Sequence, residues 1–208
     1  MSKHLYKLLA LSALMLSCAC GSMSSGGQDS YTSSIEAACS YVDINTLPAH
    51  VELKIPYVKQ AVDYCGPASV VMVMGYYGYA ADQYTIGAGI VDGNGTTASE
   101  LIEKSEDMGF VGTAVNCQLN GLLGLLAEGK PVITRVLNDA GTGGHFIVVT
   151  GYDKNSSLIY LNDPDQPYRR AESFEEFSKL WNVTTLGEGM NSTNVAIVLS
   201  PNVQLAQM

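Results

Sequence analysis

Cys65, His145 and Asp163 are the residues of this chain whose types, order and local context could perform nucleophilic chemistry together. Such a site needs a thiol made nucleophilic, an imidazole to exchange its proton, a group to orient the imidazole, and a donor for the oxyanion. Cys65 opens the run Cys65-Gly66-Pro67-Ala68, which continues as apolar residues to Tyr77. It therefore stands at the predicted start of a buried helix, where the dipole and free N–H groups favour an anion. A small buried cysteine at a helix start is the bland alternative. His145 follows Gly141-Thr142-Gly143-Gly144 and begins the apolar strand Phe146-Ile147-Val148-Val149. Beyond the first few residues the chain has only one other histidine, His50, which reads as part of a segment before the first strand. A core histidine is the competing reading.

Asp163 ends the next strand, Leu158-Ile159-Tyr160-Leu161, and precedes Pro164. If the two strands form a hairpin, the end of the second approaches the start of the first, bringing Asp163 to His145. An Asp-Pro turn alone would explain the same residues. Gln60, five positions before Cys65, could lend a side-chain N–H to the oxyanion.

The elements that must position these groups are legible in outline. Val51–Ile55 alternates as a strand does. Thr97-Ala98-Ser99-Glu100 and Ser173-Phe174-Glu175-Glu176 are capping boxes that open helices. Leu119 to Glu128 is a third helical segment, stopped by Gly129 and Pro131. Strands are predicted at Val132–Arg135, His145–Tyr152, Leu158–Leu161 and Val195–Leu199. Helices first and hairpin-like strands afterwards argue an α+β fold.

The amino terminus has another purpose. Lys3 and Lys7 precede an apolar stretch, Leu8 to Leu16, too short to span a bilayer. Ser17-Cys18-Ala19-Cys20 then resembles a bacterial lipoprotein signal, with Cys18 as the lipidated residue and Cys20 as the alternative; a cleaved secretory signal is the competing reading. Residues 1–18 are read as this signal segment. Residues 19–49, Gly- and Ser-rich from Gly21 to Ser34, are read as a flexible tether and pre-domain segment, with structure beginning near Val51. Residues 50–201 form the domain. The expected location is the bacterial cell envelope, lipid-anchored on the extracytoplasmic side, or secreted. Cys39 and Cys117 could then form a disulfide.

Composition narrows the options. With 208 residues, 47% hydrophobic and 15% charged, the chain can bury a core. A formal charge of −9, with Arg169-Arg170 as the one adjacent basic pair, excludes nucleic acid as a natural partner. No Cys-x-x-Cys or His-x-x-x-His pair supports a metal site built from Cys65, His145 and Asp163, so neither metal nor cofactor is expected. No G-x-S-x-G elbow occurs, which argues against an α/β-hydrolase.

The segments Gln60 to Ala68, Gly144 to Asp153 and Leu161-Asn162-Asp163-Pro164 together resemble the peptidase C39 family. So do Gly95 to Leu101 and Phe174-Glu175-Glu176-Phe177, and the likeness covers roughly residues 52 to 200. It implies a papain-like cysteine peptidase fold, with an N-terminal helical half packed on a C-terminal antiparallel sheet. It also implies Cys65 as nucleophile, His145 as base, Asp163 as orienter and Gln60 as oxyanion donor. The implied partners are a peptide or protein substrate and, by analogy with members that cut leader peptides during export, transport machinery. No Walker-type motif or membrane domain accompanies the segment, so the resemblance implies the chemistry and not a particular substrate. An acyl transferase or amidase on the same fold, or a non-catalytic peptide-binding module, are the alternatives.

Overall fold

The structure is a computed structural model that describes residues 25–93, 95–138, 144–167, 169–182 and 193–202. Residues 1–18, with Cys18, and Cys20 lie outside the described residues, as do the five residues before Gly144 in the loop that leads to His145.

In chain order the elements are α1 (Ser25–Ser40), a 3-10 turn (Ile44–Thr46), β1 (His50–Glu52), α2 (Cys65–Tyr76), α3 (Gln83–Gly87), α4 (Ala98–Asp107) and β2 (Phe110–Asn116). Then come α5 (Leu119–Ala127), β3 (Val132–Leu137), β4 (Gly144–Asp153), β5 (Leu158–Asn162), β6 (Arg170–Ser173), α6 (Phe174–Trp181) and β7 (Val195–Pro201). The strands form one antiparallel sheet of order β2-β7-β3-β4-β5-β6, and β1 continues the line of β3 along β4. The fold is α+β and papain-like.

Two cores, one on each face, account for the strands' lack of polar alternation. Val132, Ile147, Val149 and Val198 pack with α1, α5 and α6. Ile133, Phe146, Val148 and Ile197, the intervening residues, pack with α2, α3 and α4. A sheet covered on both faces reads as continuous apolar runs. Both predicted capping boxes are present, Thr97 with Glu100 at α4 and Ser173 with Glu176 at α6. Trp181, fully buried, ends α6 and donates its indole N–H to Val195 O at 2.9 Å.

The segment before His50 differs from its sequence reading. Ser25–Ser40, most of which reads as tether, is a helix seated on the sheet, so order begins well before Val51. Gln28 Nε2 donates to Gly112 O at 2.6 Å, and the Tyr31 hydroxyl meets Ser200 Oγ at 3.1 Å. Ile35 and Cys39 are 1% exposed. Gln28, Tyr31, Ile35 and Cys39 share one helical face, but only Ile35 is a large aliphatic residue. The stripe is therefore faint to an apolar count, and tertiary contacts override weak propensity. Burial pushes the Tyr31 hydroxyl pKa up to about 12. His50 likewise belongs to β1, opposite Asp153 at the far end of β4 from His145.

β2 has no local signal in the sequence, because Phe110–Asn116 lacks alternation and lies between two helices; it is buried along nearly its whole length. Gly151 has a specific duty: a Cβ there would lie 2.2 Å from Val51 O, so only glycine lets β1 approach β4 so closely.

Candidate active site

Cys65 is the first residue of α2, and Pro67, which has no N–H to leave unpaired, lies in its first turn. The turn is packed tightly: a Cβ on Gly66 would come within 2.4 Å of Thr96 Oγ1. The preceding residues reverse sharply, with Asp63 in the left-handed region at φ 64°. Cys65 is a free cysteine, partly exposed, and lines a cleft of about 440 Å³ together with Gln60, Asp63, His145, Asp163 and Asp165.

The His145 imidazole is hydrogen-bonded to both neighbours that the sequence assigns to it. Its Nε2 lies 2.7 Å from Asp163 Oδ1, and it also bonds the Cys65 thiol, which leaves Nδ1 as the sulfur-facing nitrogen. Burial disfavours the imidazolium, but the hydrogen bonds and charges of Asp163 and Cys65 outweigh it and push the pKa up to about 10. Burial likewise works against the Asp163 carboxylate. Its bonds to His145, to the Asp165 N–H at 3.0 Å and to Arg170 nevertheless hold it below the usual carboxylate range.

The register shows how Asp163 arrives there. At the end of the hairpin Asp153 faces Leu158, but the pairing shifts between Val149 and Gly151, so that Val148 faces Asn162. Carried one residue further, Asp163 lies across from Ile147, on the side of β4 that also presents His145. Without the bulge Asp163 would face Val148 and point to the opposite side, since a one-residue slip inverts every side chain. The Asp-Pro turn and the imidazole partner are thus the same residue, because Asp163 also accepts from Asp165 and its carbonyl from Gln166 N–H.

Gln60 enters the cleft from the loop before α2. Its backbone N–H donates to Pro164 O at 2.9 Å, and Gln83 clamps the residues on either side through Ala61 N–H and Lys59 O. Among the described residues its buried Oε1 has no hydrogen-bond partner, so this amide is not fully committed to the protein.

One contact has no counterpart in the sequence reading. Arg170 Nη1 donates to Asp163 Oδ2 at 2.9 Å, and the other side of the guanidinium holds Glu172 Oε1 through Nε at 3.2 Å and Nη2 at 2.8 Å. The available signal was its position on a strand following the Asp163 turn, which a lone Arg-Arg pair does not disclose. Among the described residues no cluster of His, Cys, Asp and Glu could hold a metal ion.

In the core that α1 and α5 build on the sheet, the structure joins Cys39 to Cys117 by a disulfide across 78 residues. It fastens the end of α1 to the residue after β2.

A partly exposed thiol at a helix start, bonded to a histidine that is bonded in turn to a carboxylate, on this fold, defines a cysteine peptidase. The Peptidase_C39 like family model matches residues 52–186, more than half of the chain. The transport/processing ATP-binding protein ComA of Streptococcus pneumoniae strain R6 is 35% identical over 126 residues, 59% of this chain and 17% of that protein. The chain thus spans only a small part of the length of the curated relatives it matches. Among solved structures, the peptidase domain of Streptococcus ComA superposes with a TM-score of 0.58 at 22% identity, covering 71% of this chain and 98% of that one. A double glycine motif protease from an AMS/PCAT transporter, solved with a leader peptide, gives 0.55 at 20%, covering 73% and 94%. Xylellain, a cysteine protease from Xylella fastidiosa, gives 0.52 at 12%, covering 78% and 91%. This chain belongs to the Peptidase_C39 like family.

Proposed function

We propose that the chain hydrolyses peptide bonds of exported peptides, with Cys65 as nucleophile, His145 as its proton partner, Asp163 as the imidazole's orienter and Gln60 as an oxyanion donor. The observation that carries this reading is the 2.7 Å bond from His145 to Asp163 beside the Cys65 thiol in an open cleft. Because the imidazole pKa is pushed up to about 10, His145 holds a proton at neutral pH and Cys65 attacks as its ion-pair partner. Sulfur adds to the scissile carbonyl, and the oxyanion is met by the Gln60 amide and the N–H groups at the start of α2. Nδ1–H then protonates the leaving amine as the C–N bond breaks, leaving a thioester. Neutral His145 takes a proton from water, which attacks the thioester; the acid product leaves and the ion pair is restored.

Leader peptides are the substrate class we favour, since one relative was solved with such a peptide and ComA is described as a bifunctional ABC transporter. Transport machinery would be the partner. Gly93 and Gly95 leave parts of the cleft wall bare, which admits an extended backbone. The test is mass spectrometry of a double-glycine leader peptide incubated with the protein. Wild type should yield two fragments with water added, and Cys65→Ala none. Equal cleavage by both would overturn the reading, while a product joined to an added amine would show acyl transfer instead.

We also propose that the protein is a lipoprotein of the bacterial cell envelope, anchored through Cys18 and facing the extracytoplasmic side. A disulfide suits that compartment. Labelled palmitate should enter the wild type and not Cys18→Ala. Labelling lost only in Cys20→Ala would move the anchor, and none in the wild type would mean a secreted form.

A further inference from the structure

We infer that Arg170 is a positioning residue for the site: it fixes the orientation and charge of Asp163, and through it the imidazole. This rests on the reading of Cys65, His145 and Asp163 given above. Leu161 pairs with Arg170, so Arg170 and Asp163, two residues beyond Leu161, lie on the same side of the β5–β6 pair. Oδ1 of Asp163 already serves His145 and the Asp165 N–H, while Oδ2 receives Arg170 Nη1. Each oxygen then has its own donor, and rotation of the carboxylate would break both sets. The guanidinium is itself locked, because Glu172 takes Nε and Nη2 and leaves Nη1 aimed at Asp163.

Charge gives the stronger argument. The Asp163 side chain is only 4% exposed, so its charge needs a partner throughout the cycle. His145 cannot be that partner throughout, since it becomes neutral when it protonates the leaving amine. A guanidinium does not deprotonate in a protein, and Arg170 supplies the constant countercharge. Besides Cys65, the other ionisable groups named around the site are Tyr57, which donates to Pro164 O, Asp63 and Asp165, and none brings positive charge.

The test uses the full chain with Arg170→Gln, Arg170→Lys, Asp163→Asn and the Arg170→Gln/Asp163→Asn pair. Arg170→Gln should lower kcat about 10- to 100-fold, the worth of one charge-assisted hydrogen bond, with KM little changed. The acid limb of its kcat/KM profile should move to higher pH, because Asp163 then protonates more readily. Arg170→Lys should recover most of kcat, since a single donor suffices at Oδ2. In the Asp163→Asn background Arg170→Gln should cost nothing more. Additive losses in the pair, or a lower Tm with kcat and the acid limb unchanged, would reduce Arg170 to a brace for the sheet edge. If Asp163→Asn loses activity and Arg170→Gln does not, the Arg170 role alone falls; if Asp163→Asn keeps full kcat, the triad reading falls first. Should Arg170→Gln not fold, Glu172→Gln unlocks the guanidinium while keeping it. A smaller kcat loss, with the acid limb shifted little because the countercharge stays, supports the role, and an unchanged kcat overturns it.

Discussion

Cys65 and the Cys39–Cys117 pair belong to opposite faces of one sheet and share little but sulfur. Cys65 packs at the margin of the α2 core, partly exposed, with an imidazole and a cleft before it. Cys39 and Cys117 are 1% and 3% exposed within the other core and are closed on each other. The lone thiol contributes reach and charge; the bridged pair contributes constraint. Neither property belongs to cysteine as such. Each follows from which neighbours the fold supplies, and the groups around Cys65 come from two loops and several separate elements that only a rigid sheet can hold in register.

The sharpest way to break this contrast is through the site itself. Asp163→Asn should lower kcat by about 10⁴, by analogy with a serine triad that loses its carboxylate, with substrate binding little changed. Gln60→Ala should cost less, about 10²–10³ in kcat, as loss of one oxyanion donor does. Steady-state kinetics on purified variants checks both, and the reverse order would mean that Gln60, not Asp163, limits the site. On the other face, Cys39→Ser with Cys117→Ser should lower stability by about 2–4 kcal/mol, seen in denaturant unfolding, while kcat below the melt stays that of the wild type. A fall in kcat without a fall in stability would show that the faces are coupled.

The smallest expected effect is on pH stability, and its two sides have opposite signs. His145 has a raised pKa in the fold, so its contribution is fully present below about 6.5 and is lost as pH rises through about 10. Asp163 has a lowered pKa, so its contribution is present above the ordinary carboxylate value and is lost as pH falls through the folded value. Stability should therefore be highest between these limits in thermal melts. In Asp163→Asn the acid-side slope should flatten, and the alkaline decline should become smaller and end at lower pH. An alkaline limb that does not move in this variant would mean that Asp163 is not what raises His145.

Local chemistry alone settled much of the map. Thr97 and Ser173 mark their helices because a side-chain cap acts within three residues. The Cys65-Gly66-Pro67 start and the apolar runs Phe146–Val149 and Val195–Leu199 likewise carry their own conformational reasons. That Cys65, His145, Asp163 and Gln60 were candidates also followed from residue type, order and context. What sequence could not decide was anything set by contacts distant along the chain. α1 is held by Gly112 and Ser200, so Ser25–Ser40 reads as a tether until those partners are known. The hairpin was legible, but not the register shift between Val149 and Gly151 that turns Asp163 toward His145, because a bulge is fixed by how β1, β4 and β5 fit together. Arg170 meets Asp163 only when β6 pairs with β5, and an arginine on a strand gives no local sign of the carboxylate it will find.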